Sequence, residues 1–488
     1  MWIKESLKEL IKDKLKDYTF VVASNREPYI HKFNREKITY FRPASGVVTA
    51  LDPVLQACNG LWVAHGSGDA DKKVVDANDC IQVPPDDPKY TLKRIWMNKA
   101  EEAGYYYGFS NEALWPLCHI VYTKPKFSAE DWKYYQLINE RFANAILAEI
   151  GNKEAFIFLQ DYHLTLVPKL IKQANPKAKI ALFWHIPWPN PEVFRICPWK
   201  NEILEGLLGA DLLGFHIHYH ADNFMETINH NLEAKVNKVT STVTYQGTET
   251  IVRPYPISID YEKIFKEASS QAVASDIDKV KEELGITSEL IGVGTDRIDY
   301  TKGITEKFEA INLFLEKYPE FQGRLVYIQI GSLSRIHLET YKKLNDDINS
   351  LVERINWKYS SDNWSPIIFI RKYFTPQQLL AIYRMANICL VSSLHDGLNL
   401  VAKEFVAASS EDKGMLVLSK FTGAAHELTD AVTFNPYNPE ECAKAIKQAL
   451  TMPEKERKSR MEKMKANVAE NNIYHWSAEI IQALLRLS

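Results

Sequence analysis

Short, continuously apolar runs recur along the chain, each followed by a helical pattern, and this recurrence constrains the fold more than any other feature. YTFVVAS, AFIFLQDYH, IALFWHIP, LLGFHI and VRPYPIS form a first series; LIGVGTDR, RLVYIQIGS, PIIFIRKYF, ICLVSS and GMLVLSK form a second. A strand with one face in water alternates apolar and polar residues. These runs do not alternate, as expected for strands of a parallel sheet covered on both faces. Between them stand helical stretches such as DWKYYQLINERFANAILAEIG and TEKFEAINLFLEKYPEF. Repeated strand–helix units predict an α/β fold with a doubly wound parallel sheet, and two series predict two such sheets. The change from one to the other is expected at residues 258–290, where YPISID gives way to the charged, helical YEKIFKEASSQAVASDIDKVKEELG. This places one domain at 1–258, with an N-terminal helical extension, and a second at 259–488. The charged helical tail from Pro453 either caps the second domain or crosses back to the first.

Composition narrows the function classes. The 59 Lys and Arg residues nearly balance the 62 Asp and Glu residues, for a net charge of −3 over 488 residues. A nucleic-acid binder needs a basic excess, and none is present. No run of about 18 apolar residues is available for a membrane span. The start, MWIKESLKELIKDKLKDY, lacks the apolar core and cleavage site of a signal peptide and instead aligns Ile3, Leu7, Leu10, Ile11 and Leu15 on one helix face. That face is expected against its own domain or a second subunit of a homo-oligomer. The 6 cysteines contain no CxxC pair and read as reduced, buried side chains. A cytoplasmic protein with small-molecule substrates is expected.

Open α/β sheets bind ligands beyond the carboxyl ends of their strands. Asn25–Arg26, Gln160–Asp161–Tyr162–His163 and His185 occupy such positions in the first series. Asp296–Arg297 with Lys302, Arg335, and Asp396 do so in the second. In HDGLNLVAKEFVAAS, Asp396–Gly397 forms a turn and a helix begins between Leu398 and Val401, through Asn399 and Leu400. The free N–H groups and dipole of such a helix start suit a diphosphate, with Arg297 and Lys302 as neutralising cations. Glu404, one turn further, is placed to accept from ribose hydroxyls. An ordinary strand–turn–helix joint explains DGLNL equally well on these residues alone.

Other patterns are weaker. His216, His218 and His220 alternate, which on a strand would put three imidazoles on one face as metal ligands. A helix start or strand end is the plainer reading. GVGTDR lacks the full dinucleotide fingerprint, so an NAD-dependent oxidoreductase is disfavoured. GDAD at 68–71 lacks the length and glutamate of a calcium loop. Neither a GxSxG elbow nor a Walker lysine motif is present.

Longer segments carry a resemblance. SNR at 24–26, FSNEALWP at 109–116, QDYHL at 160–164, WHIPWPNPEVFR at 184–195 and LLGFH at 212–216 belong to one pattern. DRIDYTKG at 296–303, SRIHLETY at 334–341, HDGLNLVAKE at 395–404 and SKFTGAAHEL at 419–428 continue it in order. From about residue 20 to the C-terminus the chain resembles the trehalose-6-phosphate synthases. These are retaining glucosyltransferases of the GT-B type, with two Rossmann-like domains facing a central cleft.

The resemblance implies that the second domain holds a nucleotide sugar, usually UDP-glucose, and the first holds glucose 6-phosphate. Carried over, Arg297 and Lys302 contact the donor diphosphate, with backbone amides from Leu400 and Val401 beside Asn399. Glu404 holds the ribose and backbone near Phe374 the base. Asp396 and His185 grip the donor glucose, and Gly46 lets the backbone approach the phosphates. Arg26 and Arg335 clamp the acceptor phosphate, while Asp161, Tyr106 and Trp115 shape the sugar site. No metal or other cofactor is implied, because cationic side chains and helix amides take the leaving-group charge. The mechanism implied is front-face attack with retention, a leaving phosphate oxygen taking the proton and Asp161 orienting the acceptor.

The chain departs from the pattern on the acceptor side. His65 stands in LWVAHGSGDAD where a tryptophan is usual, RPASGVV has Gly46 in place of paired glycines, and the segment between Arg26 and Gly46 differs from the usual short loop. Glycerol 3-phosphate or a cyclitol phosphate is therefore the alternative acceptor. A catalytically silent relative that only binds the ligands is the alternative from another class, disfavoured because Arg26, Asp161, His185, Arg297, Lys302, Asp396 and Glu404 are all intact.

Overall fold

The structure, a computed structural model, describes residues 2–15, 18–43, 46–361, 363–372, 374–411 and 413–486. Two compact units emerge, one of residues 1–257 joined by 473–488, the other of residues 258–472. The second unit thus stops short of residue 488, because the last helix, Ile473–Leu485, returns to the first. Trp476 explains the return. Its Nε1 donates to Tyr255 O at 3.1 Å, and its ring packs on Phe158 and Phe183 at centroid distances of 5.6 and 5.1 Å. The N-terminal helix, Lys4–Lys14, buries Leu7 and Ile11 against this last helix and the helix Gly46–Cys58. Its apolar face is therefore spent within its own unit, although Ile3 remains exposed.

In the second unit six strands form one sheet in the order Ile367–Ile370, Leu325–Ser332, Leu290–Arg297, Ile388–Val391, Met415–Ser419, Val432–Phe434. All neighbours run parallel. Val293, Ile328, Leu390 and Val417 are fully buried at its centre, which is why these runs do not alternate. The order reverses between Leu290–Arg297 and Ile388–Val391, and the crevice beyond their carboxyl ends is the ligand position of such sheets.

The first unit carries a 10-stranded sheet. Its central strands, from Thr248–Pro254 through Leu212–Phe215, Lys179–Phe183, Ala155–Gln160, Thr19–Arg26 and Leu61–His65 to Tyr90–Ile95, run parallel, with antiparallel strands added at both edges. Here the reversal falls between Thr19–Arg26 and Ala155–Gln160.

Two local structures escape the apolar pattern. The segment after Arg26 forms a hairpin, Ile30–Asn34 paired with Lys37–Phe41, turning at Arg35 with φ 56°. Ala103–Leu114 winds as a wide π-type turn. Two glycines admit it against the helix Ala129–Ile150: a Cβ at Gly104 would lie 2.4 Å from the Tyr134 ring, and one at Gly108 2.4 Å from the Asp131 carboxyl carbon.

Candidate functional site

At the reversal point of the second unit two loops are tied together. Arg297 ends its strand half-buried; Tyr300–Lys302 then makes a tight turn, and Gly303 (φ 60°) opens the helix Ile304–Lys317. Glycine is required there, since a Cβ would lie 2.4 Å from Ser392 O. Ser392 Oγ bridges the carbonyls of Lys302 and Gly303 at 2.9 and 3.0 Å, and Leu394 N donates to Thr301 O at 2.8 Å. Lys302 Nζ reaches Asp396 Oδ2 at 2.5 Å, and the same oxygen accepts from Ser393 Oγ and Asn399 Nδ2, each at 3.1 Å. Asn399, at φ 91°, caps the helix Leu400–Ala408 through Ala402 N at 3.2 Å. Leu400 N and Val401 N lie in its first turn, where N–H groups have no intrahelical acceptor. The loop 419–424 holds this turn from outside: Gly423 N donates to Asp396 O at 3.1 Å, and a Cβ there would meet Gly397 O at 2.0 Å.

The remaining candidates in this unit differ in standing. Burial raises the Glu404 carboxyl to about 7, and among the described residues it has no hydrogen-bond partner. Arg335 (φ 49°) is 8% exposed, its Nη1 bonded to Asp299 Oδ2 at 3.1 Å and to the Tyr341 hydroxyl at 2.6 Å. Asp299, fully buried, also accepts from Thr301 N and Thr301 Oγ1, both at 3.0 Å, so one carboxylate supports both the Lys302 turn and Arg335. Sequence reasoning passed over Asp299; only its place inside DRIDYTKG marked it. Asp296 points inward, paired with Lys307 Nζ at 2.8 Å. Phe374 lies in the apolar core of this unit.

In the first unit Arg26, His65 and Asp161 come to the carboxyl ends of three adjacent strands, with Arg26 and His65 in register. Arg26 is exposed; its carbonyl accepts from Ser24 Oγ at 2.6 Å, and its guanidinium makes no hydrogen bond or ion pair with the described residues. Asp161 has φ 75° and ψ 172°, a region that side chains strongly disfavour. Its Oδ1 accepts from Tyr162 N at 2.9 Å and His185 N at 3.2 Å. His185 Nε2 bonds to Gln160 Oε1 at 2.9 Å, and burial lowers its imidazole to about 3, so it is neutral. Tyr106, on the π-type turn, stacks on His163 at 5.7 Å, and Trp115 packs on His119 and Tyr162 at 4.0 and 6.0 Å. Asp161, Tyr106 and Trp115 are thus gathered around Tyr162–His163. Burial also lowers His65, to about 4. Gly46 opens a helix, while Ala44 and Ser45 before it lie outside the described residues.

Beneath these residues lies a charged cluster with no signal in the sequence pattern. Arg94, fully buried, bonds Glu27 Oε2 through Nε at 2.8 Å, and Asp71 Oδ1 and His31 Nδ1 through Nη2 at 2.9 and 2.8 Å. Burial and the neighbouring Asp71 push Glu27 up to about 8, against the pull of Arg94. Asp71 also accepts from Gly68 N at 2.6 Å and His31 N at 2.8 Å, so within GDAD this carboxylate is engaged by backbone amides and Arg94.

The three alternating histidines do not share a strand face. The strand ends at Phe215 and a helix, His218–Asn231, begins; His216 and His220 are buried, while His218 is exposed. Their Nδ1 atoms meet Ile257 N and Trp188 N at 3.4 and 3.2 Å. Among the described residues no three His, Cys, Asp or Glu side chains gather where they would hold a metal ion, and no helix is long and apolar enough to cross a membrane.

Comparison with known proteins decides the family. The profile described as Glycosyltransferase family 20 matches residues 18–486. The chain belongs to glycosyltransferase family 20. It is similar to the UDP-forming alpha,alpha-trehalose-phosphate synthase A of Dictyostelium discoideum, with 34% identity over 96% of this chain and 62% of that protein, so it spans less than two thirds of that relative's length. It is similar to the UDP-forming synthase of Pichia angusta at 34% identity, over 96% of this chain and 99% of that one. Among solved structures, one from E. coli, named for trehalose-6-phosphate and bound with UDP-2-fluoro glucose, superimposes with a TM-score of 0.85 at 31% identity, covering 96% of this chain and 99% of that one. The Burkholderia xenovorans synthase in complex with glucose-6-phosphate gives a TM-score of 0.85 at 28% identity, over 95% and 99%. This family-20 chain is accordingly a glycosyltransferase, and its two α/β units have the GT-B fold of those enzymes.

Proposed function

We propose that this glycosyltransferase moves glucose from UDP-glucose to glucose 6-phosphate with retention, giving trehalose 6-phosphate. The observation that carries the reading is the Lys302–Asp396–Asn399 constellation at the reversal point of the second sheet, set at the start of the helix Leu400–Ala408. A nucleoside diphosphate there meets the amides of Leu400 and Val401, with Arg297 and Lys302 as counter-charges. Lys302 exchanges Asp396 for the diphosphate, which leaves the Asp396 carboxylate to accept from a glucose hydroxyl. His185, being neutral, accepts or donates a hydrogen bond without carrying charge. Glu404 takes the ribose hydroxyls, and the backbone at Phe374 and Gly46 borders the base and the phosphates.

The acceptor hydroxyl attacks the anomeric carbon on the face from which the diphosphate departs. The new C–O bond forms as the old one breaks, and a leaving phosphate oxygen takes the hydroxyl proton. Asp161 orients the acceptor, since its Oδ1 is already committed to two N–H groups. Arg26 and Arg335 are assigned to the acceptor phosphate, and Tyr106 and Trp115 to its sugar ring. The charge that develops on the leaving group is met by Arg297, Lys302 and helix amides, so the reaction proposed requires no metal.

One observation favours a second reading of the acceptor. A neutral His65 in register with Arg26, and the hairpin Ile30–Phe41 that follows Arg26 in the chain, differ from what a glucose 6-phosphate pocket of this family leads one to expect. Glycerol 3-phosphate or a cyclitol phosphate is then the acceptor. A screen of UDP-, GDP- and ADP-glucose against these phosphates and free glucose, read by nucleotide release and product mass, tests both. Turnover with UDP-glucose and glucose 6-phosphate is expected; equal transfer to unphosphorylated glucose overturns the phosphate assignment, and no turnover with any pair overturns the enzyme reading.

A further inference from the structure

We propose that Gln160 is a positioning residue that holds His185 in the tautomer with its proton on Nε2, so that Nδ1 presents a lone pair to a hydroxyl of the transferred sugar. The inference rests on the assignment of His185 to the donor glucose.

Gln160 is the last residue of the strand Ala155–Gln160 and is 1% exposed. It lies in register with Phe183 on the next strand, and His185 follows two residues later. The side chains meet at 2.9 Å between Gln160 Oε1 and His185 Nε2. An amide oxygen only accepts, so this bond requires a proton on Nε2. The ring is enclosed by Phe183 at 4.7 Å and His216 at 5.5 Å. Asp161, whose Oδ1 accepts from His185 N, and His216 are the titratable groups that face it. Burial holds the imidazole neutral, and a neutral ring has one proton. With that proton on Nε2, Nδ1 is an acceptor, and it has no hydrogen-bond partner among the described residues. His185 as a residue is half-buried rather than fully enclosed.

Turning the amide over would give its N–H2 group the imidazole as acceptor and would require the opposite tautomer, with Nδ1 as donor. The N–H2 group is buried and has no partner in the orientation observed, so the two arrangements differ by which amide atom goes unmet. We assign the observed one, in which Nδ1 is a neutral acceptor for the proton of a sugar hydroxyl.

Nitrogen-15 NMR of the full chain labelled at histidine, with the His185 signals identified by their loss in His185→Gln, reads the tautomer directly. A protonated Nε2 and a bare Nδ1, unchanged from about pH 5 to about pH 8, are expected; a proton on Nδ1 overturns the proposal. In Gln160→Glu the carboxylate still accepts from Nε2 but favours the imidazolium. Activity should then acquire an acid limb, lost as pH falls within that range, because a protonated Nδ1 can no longer accept. Gln160→Leu should lower kcat about tenfold, the scale of one hydrogen bond. Wild-type pH profiles and kcat in both variants overturn the positioning role. The NMR reading needs no turnover, so a chain inactive with every nucleotide sugar refutes the donor assignment while the tautomer is still decided.

Discussion

At the reversal point of the second unit the polar side chains hold one another: Lys302 is bonded to Asp396, and Asp396 to Asn399, at the start of a helix. At that of the first unit Arg26 stands exposed, and the ion pairs lie a layer deeper, where Arg94 joins Glu27, Asp71 and His31 with no exposed side-chain surface on Arg94, Glu27 or Asp71. On the proposed function, a diphosphate would replace one partner of an existing pair in the second unit, whereas a phosphate would meet the exposed Arg26 guanidinium in the first, with the deeper charges holding the strand ends. Charge loss should therefore harm catalysis on one side and folding on the other.

The largest effect is expected at Arg94. Arg94→Leu leaves the buried Asp71 carboxylate without its cation, a change of about 3–5 kcal/mol for a broken buried pair. Urea unfolding followed by fluorescence should show the loss; a wild-type midpoint would break the contrast. The same cluster makes stability depend on pH. Glu27 is raised to about 8 in the folded chain, above its ordinary 4.5, so the folded state binds more protons across that interval. The contribution is fully present below the unfolded value and is lost as pH rises through about 8. Glu27→Gln should flatten that slope.

Next comes Lys302. Lys302→Ala should lower turnover roughly 10²–10³-fold, about 2.7–4 kcal/mol of transition-state stabilisation, while its unfolding midpoint stays near that of the parent. A folded variant with near-normal turnover removes Lys302 from the leaving-group site. Arg26→Ala should raise the acceptor KM by about 10–100-fold, matching the 1.5–3 kcal/mol of a hydrogen bond to a charged group, and leave donor affinity unchanged. An equal loss on donor and acceptor would mean that Arg26 is not specific to the acceptor side.

The two units were also unequally legible in the sequence. Strands of the second unit read directly from apolar runs such as ICLVSS and GMLVLSK, because both faces are buried and nothing polar interrupts them. Tyr90–Ile95 in the first unit did not, since Lys93 and Arg94 stand inside it and only the tertiary cluster makes Arg94 acceptable in the interior. The hairpin Ile30–Phe41 and the π-type turn at Ala103–Leu114 have no periodic signature, the latter depending on two glycines meeting a helix distant in sequence. Strand-end residues such as Asp161 and Asp396 were legible because topology fixes where such positions point. Asp299 was not singled out, and Gln160 stood only as one member of a strand-end segment with no role of its own, as the contacts of both lie with partners that only folding supplies.

The smallest effect expected concerns Glu404, and it probes whether the donor side is as prebuilt as Lys302–Asp396 suggests. Burial alone raises this carboxyl to about 7, and it has no hydrogen-bond partner among the described residues. If ribose hydroxyls donate to it, the ionised form is the one that binds. The free protein is mostly protonated below about pH 7, so binding must first release that proton. UDP-glucose, whose diphosphate does not titrate near neutrality, should then bind more tightly as pH rises from about 6 to about 8. The gain approaches tenfold over one pH unit below the midpoint, about 1.4 kcal/mol, and levels off above it. Calorimetry in buffers of different ionisation enthalpy should detect the proton released. Stability runs the other way: with a folded value above the unfolded 4.5, the contribution of Glu404 is lost as pH rises through about 7. Glu404→Gln should accordingly be more stable than the parent at pH about 8, bind UDP-glucose more weakly there, and show no pH dependence of affinity from this position. Undiminished affinity and an unchanged pH slope in that variant would take the ribose away from Glu404 and leave the helix amides and Lys302 to account for donor binding.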